Sequence, residues 1–321
     1  MAPPNPTAPL PAAVSGERFE FASRAGRLSA YVAGDGPPLL LLHGVNTAAS
    51  VAEVRPLHEH FAARRTVFSL DLPGYGHSER SDRAYTARLM TNAVQDMVQH
   101  IRQLCGPAPM DALATSLSCE FLARAAVESP VLYRSVALVS PTGFSGRPGG
   151  RDEPGGTRAL PRLYRSLCGP RRAWGGALFR GLTRPGVIRY VLQRTWGGKH
   201  IDEALWQYAV LTARQPGAEH APLCFLAGGL FSADILRVYE QLQMPVWMSH
   251  GVRGDFTDYR GKALVERKPS WRISVYATGA LPHFEVAEAF FADYAAFLSD
   301  PTGVTLPTIP SRVTEPEAPA T

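Results

Sequence analysis

Residues 112–120 read ALATSLSCE, and two patterns meet there at one serine. Upstream, MDALATS (110–116) reads as a buried strand. Downstream, LSCEFLARAAVES (117–129) reads as a helix that stops before Pro130. Ser116 therefore stands on a strand-to-helix turn, where a hydroxyl is presented at the end of a sheet. A tight turn of this kind is usually written G-x-S-x-G. Here Ala114 and Ser118 fill the glycine slots. Ala adds one methyl and Ser a CH₂OH, and both are small enough for strand and helix to approach. The alternative is a serine that only caps the helix beginning at Leu117.

The same alternation extends outward along the chain. RFEFAS (18–23) and GRLSAYVAG (26–34) read as two strands joined by a turn. PPLLLLHG (37–44) and TVFSLDLPG (66–74) are apolar runs ending in tight loops, as expected of buried strands. Met90, Val94, Met97, Val98, Ile101 and Leu104 recur at helical spacing within a helix expected over 85–104. SVALVSP (135–141), MPVWMSHG (244–251) and RISVYATG (272–279) are three further strands. A last helix is expected from Phe284 to Leu298, with Val286, Phe290, Tyr294, Phe297 and Leu298 toward the sheet. Strands alternating with helices predict an α/β fold: a mostly parallel central sheet with helices on both faces.

Between 143 and 236 the rhythm breaks into Gly/Pro/Arg-rich and then aromatic, helical-looking sequence. This is read as a helical cap inserted between two halves of the core, 17–142 and 237–300. The Pro-rich residues 1–16 and the Pro/Thr-rich 301–321 are read as disordered tails. The chain has 321 residues and a formal charge of +5. That charge is concentrated: residues 145–200 hold twelve Lys and Arg against two acids, Asp152 and Glu153. The favoured reading is a solvated basic face, the sharper one a weak contact with anionic membranes. No nucleic-acid-binding module accompanies the charge. Four scattered cysteines (Cys105, Cys119, Cys168, Cys224) show no metal-ligand or disulfide spacing and suggest a reduced, cytoplasmic protein. The start of the chain lacks the basic and apolar regions of a signal peptide. No metal site and no glycine-rich phosphate loop is visible, and no cofactor is implied.

Four ordered signatures carry a resemblance. They are LLLLHGVN, ending at 46; DLPGYGHS (71–78); ATSLS (114–118) followed by LVSPTG; and the late pair HGVRGDFTDY and TGALPHFE. From about 17 to 300 the chain resembles the α/β-hydrolase fold superfamily, in particular its capped serine hydrolases. The resemblance implies a Ser-His-Asp triad with Ser116 as nucleophile. The N–H groups of Val45 and Leu117 are then the implied oxyanion hole, with Asn46 as a further donor to consider. His43, Asp71 and His77 are read as structural. Two carboxylates follow the strand 244–251: Asp255 is the first choice for the triad acid and Asp258 the second. Members of the superfamily carry histidine directly after the glycine that ends the last strand, and Ala280 fills that slot here. His283 is the only histidine after the acid, and were 280–283 one helical turn it would share a face with position 280. His283 is thus the expected base, unless it packs elsewhere and leaves Ser116 without one. The implied activity is cleavage of a carboxylic ester, thioester or carbon–carbon bond next to a carbonyl in a small, apolar acyl substrate. The alternative is a non-catalytic binding protein on the same scaffold.

Overall fold

A computed structural model describes residues 10–145, 154–168 and 174–302. Asp152, Glu153 and the tail residues 303–321 lie outside the described residues. Eight strands form one sheet: β1 (Glu17–Ser23), β2 (Gly26–Ala33), β3 (Pro38–Leu42), β4 (Thr66–Asp71), β5 (Met110–Thr115), β6 (Tyr133–Val139), β7 (Val246–Gly251) and β8 (Trp271–Tyr276). Their spatial order is β1-β2-β4-β3-β5-β6-β7-β8. β1 pairs antiparallel with β2, and β2 with β4; every other pairing is parallel. The expected α/β architecture with a mostly parallel sheet is therefore the one observed.

The apolar runs explain this order. β3 and β5 lie at the centre, and every residue of Leu39–Leu42 and Met110–Thr115 is buried, because helices cover both faces. On one face lie α2 (Ala87–Cys105) and α3 (Ser118–Glu128). Thr86 caps α2 by accepting the Leu89 N–H at 3.1 Å. Met90, Val94, Met97, Val98 and Ile101 are fully buried, whereas Leu104, expected on the same stripe, is exposed in the final turn. On the other face lie α1 (Arg55–Phe61) and, much later in the chain, α11 (Ala287–Ser299), which buries Phe290, Tyr294 and Phe297 against Trp247.

Residues 143–236 hold α4 (Pro161–Cys168), α5 (Trp174–Leu182), α6 (Pro185–Trp196), α7 (Glu203–Thr212), α8 (His220–Leu226) and, at its end, the first residues of α9 (Ile235–Glu240). Phe179, Ile188, Ala209 and Val210 from these helices form a small core with Ala48, just after β3. Two expectations change. Residues 10–16 are not a free tail: Leu10, Ala13 and Val14 are buried, and Ser15 donates from its N–H and hydroxyl to Glu59. The last helix does not start at Phe284. A separate short turn, α10 (Pro282–Glu285), ends at Val286, whose extended φ of −130° breaks the helix before α11. No described helix is long and apolar enough to cross a membrane.

Candidate active site

Ser116 sits between β5 and α3 with φ +53°, one of two non-glycine residues with positive φ among those described. That backbone state costs an L-residue on the order of 1–2 kcal/mol, so the surroundings must impose it. They do so on both sides. The Ser116 N–H donates to Val139 O of β6 at 2.8 Å, and its carbonyl accepts the Cys119 N–H at 3.2 Å. The two substituted glycine positions fit. Ala114 is fully buried, and the Ser118 hydroxyl donates to the carbonyl of His43. Ser118 thus ties the start of α3 to the loop after β3, a bond that glycine would lack.

That loop carries the second half of the arrangement. His43 is fully buried; its Nε2 accepts the Leu72 N–H at 3.0 Å, so its Nδ1 holds the proton and donates to Gly44 O at 2.6 Å. Both ring nitrogens are used in holding the loop, and burial pulls the pKa down, so His43 is neutral and structural. Asp71 likewise accepts the Val51 and His77 N–H groups. The Val45 and Leu117 N–H groups donate to no acceptor among the described residues, although the two residues are only 4% and 1% exposed. Unspent amides of this kind, Leu117's at the positive start of α3, suit a negatively charged oxygen. Asn46 differs from expectation: its Oδ1 accepts the Ala48 N–H, so its Nδ2 faces Glu53, to which it donates at 2.6 Å.

His283 is fully buried in α10. Its Nε2 donates to the main-chain carbonyl of Glu53 at 2.8 Å, and its Nδ1 has no partner. A carbonyl only accepts, so the neutral ring carries its proton on Nε2 and a bare lone pair on Nδ1. Burial pulls its pKa down to about 4. No hydrogen bond joins either ring nitrogen to Ser116 or to Asp255. The approach of His283 differs from the helical turn pictured from the sequence. The turn is 282–285, and Ala280 lies before it, its N–H on Thr195 O and its carbonyl accepting the Ser140 hydroxyl at 2.7 Å. From β8 the chain crosses Gly251 of β7, where a side chain would strike Gly279 O at 2.0 Å, then Ser140 beyond β6, and reaches Glu53 beside the β3 loop. β5, which Ser116 follows, lies between β6 and β3.

Asp255, the first choice for the triad acid, is bonded to an arginine. Both of its oxygens bind the guanidinium of Arg194 in α6, with Nε at 2.7 Å, and its side chain is 41% exposed. Asp258 likewise binds Arg260 through Nε and Nη2 at 2.9 Å. The physical reason is local: each carboxylate on this exposed loop has an arginine in reach and no burial to direct it toward His283.

The carboxylate that the sequence reading missed is Glu53, in the 3₁₀ turn Val51–Val54. Its Oε2 accepts the Gly44 N–H at 2.9 Å and its Oε1 the Asn46 amide. An atom placed as a Cβ on Gly44 would stand 2.9 Å from Glu53 Oε2 and 3.3 Å from Ser116 Cβ. Burial pushes the Glu53 pKa up to about 7, against the pull of its Asn46 and Gly44 hydrogen bonds. The signal was present: one acid among Val51, Ala52 and Val54, where an unpartnered carboxylate would be costly. Among the described residues no cluster of His, Cys, Asp or Glu could hold a metal ion.

The comparisons agree with this fold. A family model described as "alpha/beta hydrolase fold" matches residues 37–158. Among solved structures, a 2-hydroxy-6-oxo-6-phenylhexa-2,4-dienoate hydrolase from Rhodococcus sp. strain RHA1 superposes with a TM-score of 0.67 at 19% identity, over 89% of this chain and 100% of the other. An enol-lactonase from Burkholderia xenovorans LB400 gives 0.65 at 16%, over 88% and 100%. A putative aryl esterase from Burkholderia cenocepacia gives 0.64 at 17%, over 89% and 99%. With the sheet order, the turn at Ser116 and the loop after β3 already in place, these matches identify the fold of the chain as that of the α/β hydrolases.

Proposed function

We propose that the protein is a serine hydrolase acting on a carboxylic ester, or a related thioester or carbon–carbon bond beside a carbonyl, in a small apolar acyl substrate. The observation that carries this reading is the left-handed backbone of Ser116 at the head of the central sheet. Strain held at a hydroxyl, beside two unspent N–H groups, is what acyl transfer requires. In the proposed reaction the Ser116 Oγ attacks the carbonyl carbon and its proton passes to Nδ1 of His283. The Val45 and Leu117 N–H groups hold the oxyanion. Collapse of the tetrahedral intermediate returns the proton to the leaving group. Water, deprotonated by the same nitrogen, then releases the acid and restores the Ser116 hydroxyl. A triad acid holds the tautomer of its histidine. Here the Glu53 carbonyl on Nε2 supports the same outcome without a carboxylate. The cytoplasm is the proposed place of work, and the basic stretch is read as a solvated face, since Arg189 and Arg194 already pair with Glu203 and Asp255.

A second reading, a binding protein without chemistry, is favoured by one observation: His283 is sealed from solvent and bonded to Glu53 rather than to Ser116. Labelling with a fluorophosphonate separates the two. The serine-hydrolase reading expects covalent labelling of the folded protein, lost in Ser116→Ala and strongly slowed in His283→Ala. A folded protein that stays unlabelled refutes it.

A further inference from the structure

We infer that Glu53 is a positioning residue of the Ser116 site: its carboxyl sets the loop that carries the Val45 N–H, and its carbonyl sets the tautomer of His283. The inference rests on the serine-hydrolase reading above and extends it to a residue outside the expected triad.

Three bonds converge on this one residue. The carboxyl takes the Gly44 N–H at 2.9 Å and the Asn46 amide at 2.6 Å, the residues on either side of Val45. Asn46 is itself fixed by the Ala48 N–H at 2.7 Å. The amide of Val45 therefore points where these bonds direct it. The third bond joins the Glu53 carbonyl to His283. Partners that orient the ligands of metal sites change activity by about 10–100-fold when removed, and the same scale is expected of a residue that orients the groups touching substrate here.

A carboxyl in this place also has a charge to manage. It lies close to Ser116, as the space beside Gly44 shows, so a negative Glu53 would oppose the negative oxygen that forms over the Val45 and Leu117 amides. Burial keeps it largely neutral below about pH 7. The ionisable groups around it do not reverse this. Tyr75, from the loop after β4, is buried with its pKa raised, and His43 and His283 are neutral with theirs lowered. Asp71 is engaged with the Val51 and His77 amides. No Lys or Arg bonds to the Glu53 carboxyl among the described residues. The working form of Glu53 is thus the acid, and ionisation slows the reaction while leaving binding in place.

The test is the kinetics of fluorophosphonate inactivation of the full chain between pH 5.5 and 9, for wild type, Glu53→Gln and Asn46→Ala. In Glu53→Gln the amide NH₂ must face either the Gly44 N–H or the Asn46 NH₂, so one bond is lost. The expected result is a maximal inactivation rate lowered by about 10–100-fold with half-saturation unchanged. The wild-type rate turns down above about pH 7, and this downturn is absent in Glu53→Gln. Asn46→Ala keeps the carboxyl, so it is slowed and retains the downturn. Should Glu53→Gln not fold, the Asn46→Ala rate and the wild-type pH profile decide. Wild type that labels at Ser116, with both variants folded and indistinguishable from it at every pH, overturns the role of Glu53 and leaves the serine reading standing. Folded wild type that does not label overturns both.

Discussion

Glu53 and His283 touch through one hydrogen bond, and their ionisations pull stability in opposite directions across the same pH range. Burial moves Glu53 from an ordinary 4.5 to about 7, and His283 from 6.5 to about 4. At about 1.4 kcal/mol per tenfold change in proton affinity, each is worth on the order of 3 kcal/mol. Between pH 4.5 and 7 the native chain holds a proton on Glu53 that the unfolded chain has released, so this term lowers stability as pH rises. Between pH 4 and 6.5 the unfolded chain binds a proton at residue 283 that the native chain excludes, so that term raises stability with pH. From 4.5 to 6.5 the two largely cancel in the wild type. Glu53→Gln removes one side of the balance. Stability from urea unfolding, measured at intervals from pH 4 to 8, should show wild type losing about 3 kcal/mol relative to Glu53→Gln between pH 4.5 and 7. The corresponding comparison with His283→Gln should run the other way between pH 4 and 6.5. A wild-type minus Glu53→Gln difference that stays flat to within about 1 kcal/mol would refute the reasoning. It would mean that Glu53 ionises as a solvated carboxyl does.

Two further expectations follow from the site geometry. Asp255→Asn removes an ion pair whose partners are 54% and 41% exposed, so it should leave stability nearly unchanged and change the labelling rate by less than about fivefold. A loss of about a hundredfold in labelling would instead return Asp255 to the position of triad acid, since a group that orients the base is worth at least that much. Ser116→Gly should unfold at higher denaturant than Ser116→Ala, by about 1 kcal/mol, because glycine accepts φ +53° and alanine does not. Equal stabilities would show that Ser116 is not strained.

The fold was legible because each signal was local. β3 is an unbroken apolar run and β5 is buried along its whole length, Asp111 and Thr115 included, so neither has an exposed face to encode, and such strands belong at the centre of a parallel sheet. The stripe of α2 was readable up to its final turn, where Leu104 leaves the sheet behind. What could not be read were boundaries fixed by distant partners. Leu10, Ala13 and Val14 look like the rest of a Pro-rich tail, yet Tyr31 and Glu59 bind that segment down. The break at Val286 follows from the 282–285 turn being anchored through His283 to Glu53, more than two hundred residues earlier.

The same division runs through the site. The turn at Ser116 and the loop at Val45 are backbone features, so the local sequence around Ala114, Ser118 and Gly44, together with the family resemblance, pointed to them. Asp255 was chosen by its distance along the chain after β7, and that guide ranks carboxylates without regard to what else can bind them. Arg194, sixty-one residues away in sequence, binds Asp255 in solvent. A carboxyl with so strong an alternative partner has little reason to cross to a buried ring. Glu53 presents the opposite case. Its neighbours Val51, Ala52 and Val54 give the surrounding surface nothing polar to offer, and its oxygens turn to two donors of the loop beside Ser116, the Gly44 N–H and the Asn46 amide. A lone acid inside an apolar turn is therefore a stronger pointer to a functional neighbourhood than an acid on a polar loop at the customary spacing. The first has to find its partners within the protein, whereas the second can be satisfied by any cation at the surface.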